Sequence, residues 1–232
     1  MREIVFDTET TGLDPYQDRV IELGGVELVN RFPTGRTFHH YINPQGRVIN
    51  AEAQAVHGIS AADLADKPAF HSIVDDFLAF IDGAKLVAHN AGFDMGFINA
   101  ELERLGHLPV GQDRVVDTLA IARRKHPMGP NSLDALCKRY NIDNSRRTKH
   151  GALLDSELLA EVYIELVSAR QASLVLESTI DIQLGGSRAA SGSIVIAARP
   201  RPLAPRLSEA DLLAHAALVA QLGDAAIWKQ LG

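Results

Sequence analysis

The sequence predicts an α/β domain, a mixed β-sheet flanked by helices, with a flexible C-terminal tail. Two observations carry the domain. Apolar, β-rich runs come first in close succession and then alternate with helical patterns, which implies hairpin strands opening a mixed sheet with helices against it. At 232 residues, 46% of them hydrophobic and 22% charged, the chain suits one substantial globular domain plus extra sequence. A third observation carries the tail. Beyond about Ala169 the alternation stops, and residues 177–207 bring Gly185-Gly186, Pro200, Pro202 and Pro205 among serines, alanines and arginines, the composition of a flexible linker.

The elements follow in order. Ile4–Phe6, Val20–Leu28 and Thr37–Ile42 read as three strands of an antiparallel meander with short connections. Ala61–Ala65 and Phe70–Ile81 read as helices, Lys85–His89 as a fourth strand, and Met95–Leu105 as a helix stopped by Gly106. Arg114–Val116 is a short fifth strand, and Thr118–Lys125, Ser132–Tyr140 and Leu153–Val167 complete the helices. The single cysteine, Cys137, excludes an internal disulfide and sits in an amphipathic pattern as a small buried apolar residue. After the linker, Ser208-Glu209-Ala210-Asp211 resembles a capping box with Asp in the acidic position. Leu212, Ala216, Val219 and Leu222 then follow at helical spacing up to Gly223, an amphipathic helix that needs a partner to bury against.

Charge and hydropathy narrow the function classes. A net charge of −6 gives no overall pull toward nucleic acid, so any such binding has to come from local basic groups or bound metal. The chain opens directly on a strand, without a signal segment, and no apolar run approaches bilayer length, so a cytoplasmic protein with no membrane partner is expected.

The chemistry concentrates in three short segments: IVFDTETTG with Asp7 and Glu9, VAHNAGFD with Asp94, and HGALLD with His150 and Asp155. In a strand, side chains at i and i+2 share a face, so Asp7 and Glu9 point together. Adjacent carboxylates repel unless a cation lies between them or one is protonated, and hard divalent ions take such oxygen ligands. Each piece has a bland alternative: a solvated strand end for Asp7 and Glu9, an N-cap for Asp94, a surface histidine for His150, and a first-turn carboxylate for Asp155. The combination, in this order and these contexts, favours chemistry.

FDTETTG, HNAGFD and HGALLD resemble the three motifs of the DEDD-type 3′→5′ exonucleases, in the subgroup with a histidine in the last motif. VHGI at Val56–Ile59, VVDTL at Val115–Leu119 and the stretch Ser132–Asp155 extend the likeness to the epsilon-type proofreading subunits of bacterial DNA polymerase III. The resemblance implies a ribonuclease H-like fold over residues 1–170. It implies two divalent ions, Mg²⁺ or Mn²⁺: Asp7 bridging both, Glu9 and Asp155 completing one site, and Asp94 holding the other. It makes His150 the general base, on a loop before the helix, because five residues to Asp155 turn about 140° around a helix axis. Thr10, Thr11, Gly12, Leu13 and His57 would meet the 3′-terminal nucleotides of a DNA strand, although Leu13 also reads as a core residue. Arg146, Arg147 and Lys149 either touch phosphates or form a solvated loop face.

Gln171, Ser173, Leu174 and Leu176, within residues 171–176, resemble the hexapeptide by which bacterial proteins enter a pocket of the sliding (beta) clamp. By the same resemblance, residues 208–232 would dock on the polymerase catalytic (alpha) subunit, with room for a small accessory subunit, in a cytoplasmic, nucleoid-associated replisome. Two other readings use the same residues: an RNA-trimming exonuclease, and a non-enzymatic bridge between clamp and polymerase. The tether argues against the first, and the complete acidic set against the second.

Overall fold

Residues 1–167 and 208–222 are described by a computed structural model of the chain. The chain falls into two units, Met1–Leu176 and Glu177–Gly232. The first holds a five-stranded sheet in the order β3-β2-β1-β4-β5. Its strands are β1 (Arg2–Thr10), β2 (Val20–Val29), β3 (Phe32–Tyr41), β4 (Lys85–Ala88) and β5 (Val115–Asp117). The first three form the expected antiparallel meander, and β4 and β5 add in parallel on the other side of β1. The helices are α1 (Ala51–His57), α2 (Val74–Ile81), α3 (Ala91–Arg104), α4 (Thr118–Lys125), α5 (Leu133–Tyr140) and α6 (Ala152–Leu166). The fold is the mixed sheet flanked by helices that the sequence predicts.

The central strand organises everything. Ile4 and Phe6 point to one face of β1, into a core with Phe77 and Phe80 of α2 and Phe97, Ile98 and Leu102 of α3. Val5 points to the other face, into a core with Leu136 and Cys137 of α5 and Leu158, Leu159 and Val162 of α6. Because side chains alternate, Asp7 and Glu9 continue the Val5 face toward α6, and Thr8 continues the Phe6 face toward α3. The C-terminal ends of the parallel strands β1 and β4 thus share one edge of the sheet, where parallel sheets present their sites.

Several elements differ from expectation. β1 runs on past Phe6 to Thr10, because its polar end still pairs with β2, Asp7 against Gly24 and Glu9 against Glu22. Helix α1 has no counterpart among the expected elements: of its residues only His57 is buried, so it carries no apolar period. Its caps are nonetheless ordinary, with the Asn50 side chain accepting from the Glu52 N–H and Gly58 closing the helix at φ 78°. The helix expected over Ala61–Ala65 is instead a series of turns. Asp63 accepts from both the N–H and the hydroxyl of Ser60, and only Leu64 of that run reaches the interior, beside Ile21 and Ile59. Phe70–Ile81 divides into a single 3₁₀ turn, Phe70–Ser72, and α2.

In the second unit, α7 (Glu209–Leu222) opens on a reciprocal cap. Ser208 N–H donates to Asp211 Oδ2 at 2.9 Å, and Asp211 N–H returns to Ser208 Oγ at 3.2 Å. Residues 171–176, the whole 177–207 linker and residues 223–232 lie outside the described residues. Among those described, no helix is long and apolar enough to cross a membrane.

Candidate active site

A cavity of about 240 Å³ opens at the C-terminal edge of β1 and β4, lined by Asp7, Glu9, Asp94 and His150 among others. Asp7, Glu9, Asp94 and Asp155 are carried by three elements. Asp7 and Glu9 come from β1 and Asp94 from the first turn of α3; Asp155, from the first turn of α6, approaches from the opposite layer. Ligand atoms of Glu9, His150 and Asp155 all lie within 4.8 Å of one another.

Two close packings bring the layers together. Gly24, opposite Asp7 on β2, lies against the start of α6 so tightly that a Cβ there would come within 2.3 Å of the backbone of Ala152 and Leu153. The Ser156 hydroxyl lies 2.6 Å from Ala152 O and 3.1 Å from Gly24 O, so its one proton is shared across the same contact. On the other layer, Thr8 donates both its N–H and its hydroxyl to Asp94 Oδ1, at 3.0 and 2.8 Å. Asp94 therefore does not cap α3; Asn90, at φ 65°, stands in the cap position.

Electrostatically the cluster is strained without a cation. Burial, and then the charges of Asp94, Glu9 and Asp155, holds the Asp7 carboxyl well above the usual carboxylate range. Burial, followed by the Glu22 and Asp155 charges, raises Glu9 to about 8. Burial raises Asp94 to about 7 even though the Thr8 hydrogen bonds pull the other way. Glu22 is itself buried, with Oε1 2.7 Å from His39 Nε2. Glu9 Oε1 is buried with no hydrogen-bond partner. An orphaned carboxylate oxygen among buried carboxylates is what a hard divalent ion would satisfy, so the donor set fits Mg²⁺ or Mn²⁺.

His150 sits on the loop before α6, as the helical geometry requires, and its side chain is 46% exposed. The loop is tied to α1, since His150 N–H reaches Val56 O at 3.4 Å and Lys149 Nζ donates to Ala55 O at 2.9 Å. Burial, and then the Arg147 cation, lowers the His150 pKa, which favours the neutral ring.

The expected nucleotide contacts separate. Thr10, Gly12, Leu13 and His57 line the cavity, and Leu13 is exposed at its mouth rather than in the core. His57 is buried, with Nδ1 accepting from the Ile59 N–H at 3.0 Å. Thr11 is turned inward: its N–H donates to Arg19 O at 2.9 Å and its hydroxyl to Asp18 Oδ1 at 3.1 Å. The basic run also separates. Arg146 is exposed, whereas Arg147 is 7% exposed and forked onto Asp155, Nε to Oδ1 at 2.6 Å and Nη2 to Oδ2 at 2.7 Å.

Four contributors escaped the sequence reading. Thr8 and Glu22 have no signal beyond lying in strands, and Arg147 looked like one of several loop cations. Gly24 did carry a signal, because a glycine inside a strand marks close backbone approach.

Comparisons agree with this architecture. The profile of a family described as exonuclease matches residues 4–163. A Salmonella typhimurium protein named DNA polymerase III subunit epsilon is 44% identical over 243 residues, covering 98% of this chain and 97% of its own. The Rickettsia felis protein of that name is 51% identical over 177 residues, covering 75% and 77%. Among solved structures, exonuclease X in complex with 5′ overhanging duplex DNA superposes with a TM-score of 0.55 at 29% identity, over 72% of this chain and 91% of that one. A zinc-bound Escherichia coli exonuclease I–single-stranded DNA complex, at 20% identity and a TM-score of 0.63 over 73% and 41%, shares the fold.

Proposed function

This chain belongs to the exonuclease family, and from that premise we propose that it removes mispaired 3′-terminal nucleotides from DNA as the proofreading subunit of a replicative polymerase. The observation that carries the reading is the extent of the likeness to the Salmonella typhimurium epsilon subunit, which takes in 98% of this chain, tail included. An independent nuclease needs no such tail.

In this reading Asp7, Glu9 and Asp155 would hold one divalent ion, and Asp7 and Asp94 would hold a second. Bound ions supply charge neutralisation at the scissile phosphate and lower the pKa of the attacking water. The residues of the chain do the rest. Asp7 and Glu9 are held side by side by the strand, and Thr8 fixes Asp94 from behind. His150, kept neutral on the loop before α6, would accept the proton of the attacking water. The water oxygen bonds to phosphorus, the bond to the penultimate 3′ oxygen breaks, and a nucleoside 5′-monophosphate leaves. Leu13 at the mouth and His57 in the wall flank the terminal base, with Thr10 and Gly12 at the turn between.

Partners follow the same logic. Gln171, Ser173, Leu174 and Leu176 would engage the sliding clamp, and residues 208–232 the alpha subunit, which locates the protein at the replisome, with space for a small accessory subunit. Leu212, Leu213, Leu218 and Leu222 of α7 are exposed, which supports a partner for that helix.

The test is degradation of a 5′-labelled single-stranded DNA oligonucleotide beside its RNA counterpart. A ladder shortening from the 3′ end, faster on DNA and abolished by chelator, is expected. Faster turnover of RNA would make the chain an RNA-trimming enzyme, and no turnover with Mg²⁺ or Mn²⁺ would leave a bridging role.

A further inference from the structure

We propose that Arg147 is a built-in counter-cation, which occupies the Asp155 position in the metal-free protein and is exchanged for the divalent ion on loading. The proposal rests on the metal reading above. Its starting point is that Arg147 is too buried and too fully engaged to be a loop cation. Its fork takes both oxygens of Asp155, at 2.6 and 2.7 Å. Its Nη2 also stands 2.9 Å from Nδ1 and 3.2 Å from Nε2 of His150. A guanidinium N–H can only donate, so the ring nitrogen that receives it has its lone pair engaged. One side chain therefore covers an expected ligand and the expected base together.

Exchange follows from charge. A divalent ion at Asp155 would sit about 2 Å from the carboxylate oxygens. That places it beside a guanidinium whose nitrogens are within 2.7 Å of those same oxygens. Two cations so close in a buried site repel strongly, so the ion and the fork exclude each other. The displaced guanidinium already has a second anchor. Its Nη1 is 2.9 Å from Asp134 Oδ2, on α5, and that carboxylate is largely exposed, outside the cluster. Asp134 can retain Arg147 when Asp155 is released. Release also frees the His150 lone pair, so loading the ligand set and uncovering the base become one event.

The experiment is calorimetric titration of the full chain with MnCl₂, with circular dichroism as a check on folding. Arg147→Gln should bind Mn²⁺ more tightly than wild type, on the order of tenfold, because the competitor is gone. Asp134→Asn, an exposed change that removes the alternative anchor, should bind it more weakly, by about threefold. A purely structural Arg147 would move both variants in one direction, and that result would overturn the exchange, as would unchanged affinities in both. If Arg147→Gln fails to fold, Arg147→Met, which keeps the aliphatic stem but removes the charge, should still bind Mn²⁺ more tightly than wild type; affinity at or below wild type would sink the proposal. A wild-type protein that takes up no Mn²⁺ would instead overturn the metal reading, and the exchange with it.

Discussion

Thr8 holds Asp94 twice, through backbone and side chain, and both bonds end on the same oxygen. The backbone half survives any substitution other than proline, so the hydroxyl half can be tested alone. Thr8→Val keeps the buried shape but removes a hydrogen bond to a charged group, worth roughly 1.5–3 kcal/mol. Exonuclease activity should fall about 10–100-fold, as for other outer partners of metal-site residues, with the fold retained. Thr8→Ser should recover most of it. A wild-type rate in Thr8→Val would show that the backbone bond alone positions Asp94.

Removing a carboxylate should separate catalysis from stability. Asp7→Asn should abolish hydrolysis while raising the melting temperature in chelator, because it removes a carboxyl that burial and its acidic neighbours hold away from its ordinary ionisation. A variant less stable than wild type in chelator would mean that Asp7 is satisfied without a cation.

The same group sets a pH dependence. With Glu9 near 8 and Asp94 near 7, the folded chain keeps protons that the unfolded chain has already released around pH 4. The stability that these two carboxyls contribute to the metal-free protein is therefore present near pH 4 and lost as pH rises to about 8. Melting scans in chelator should lose roughly 5–10 °C across that window, and Mn²⁺ should flatten the curve. A metal-free protein that grows more stable over the window would contradict the assignment of these groups as protonated.

His150 should behave as a base and not as a ligand. His150→Ala should cost about 10²–10⁴ in turnover with Mn²⁺ affinity retained, and the deficit should shrink as pH rises and hydroxide becomes available. Normal turnover with weakened Mn²⁺ binding would reassign it.

The tail should matter for assembly alone. Truncation after Leu176 should leave hydrolysis of short single strands unchanged and remove binding to the polymerase alpha subunit. Alanine at Gln171, Leu174 and Leu176 together should weaken clamp binding and spare the polymerase. Full-strength polymerase binding by the truncated protein would place the anchor elsewhere.

The legible parts of the sequence were those whose apolar pattern meets the core. The boundaries expected for α5 and α6 lie close to the observed ones because Leu136 and Cys137 on the one, and Leu158, Leu159 and Val162 on the other, face the core. α1 was missed because almost nothing in it is buried, and Leu64 misled because one apolar residue in a run of turns imitates half a period. At the site, Asp7 and Glu9 were readable from strand alternation, a local property. Arg147, Thr8 and Glu22 were not, because each acts through a pairing set by sheet register or loop path, across 8, 86 and 13 residues of chain respectively. Gly24 shows the boundary between the two cases: its presence in a strand was visible, while the helix it admits was not.

The order of those elements along the chain has a consequence during synthesis. Asp7 is made among the first residues, but Asp155 lies on α6, the last helix to join the sheet. A ribosome-bound or prematurely ended chain that stops short of α6 holds the β1 carboxylates without the segment that completes the cluster. Arg147 and His150 lie just before that helix, so until it is made they have no Asp155 beside them. A nuclease arranged this way stays harmless to nearby nucleic acid until its catalytic domain has been made nearly in full.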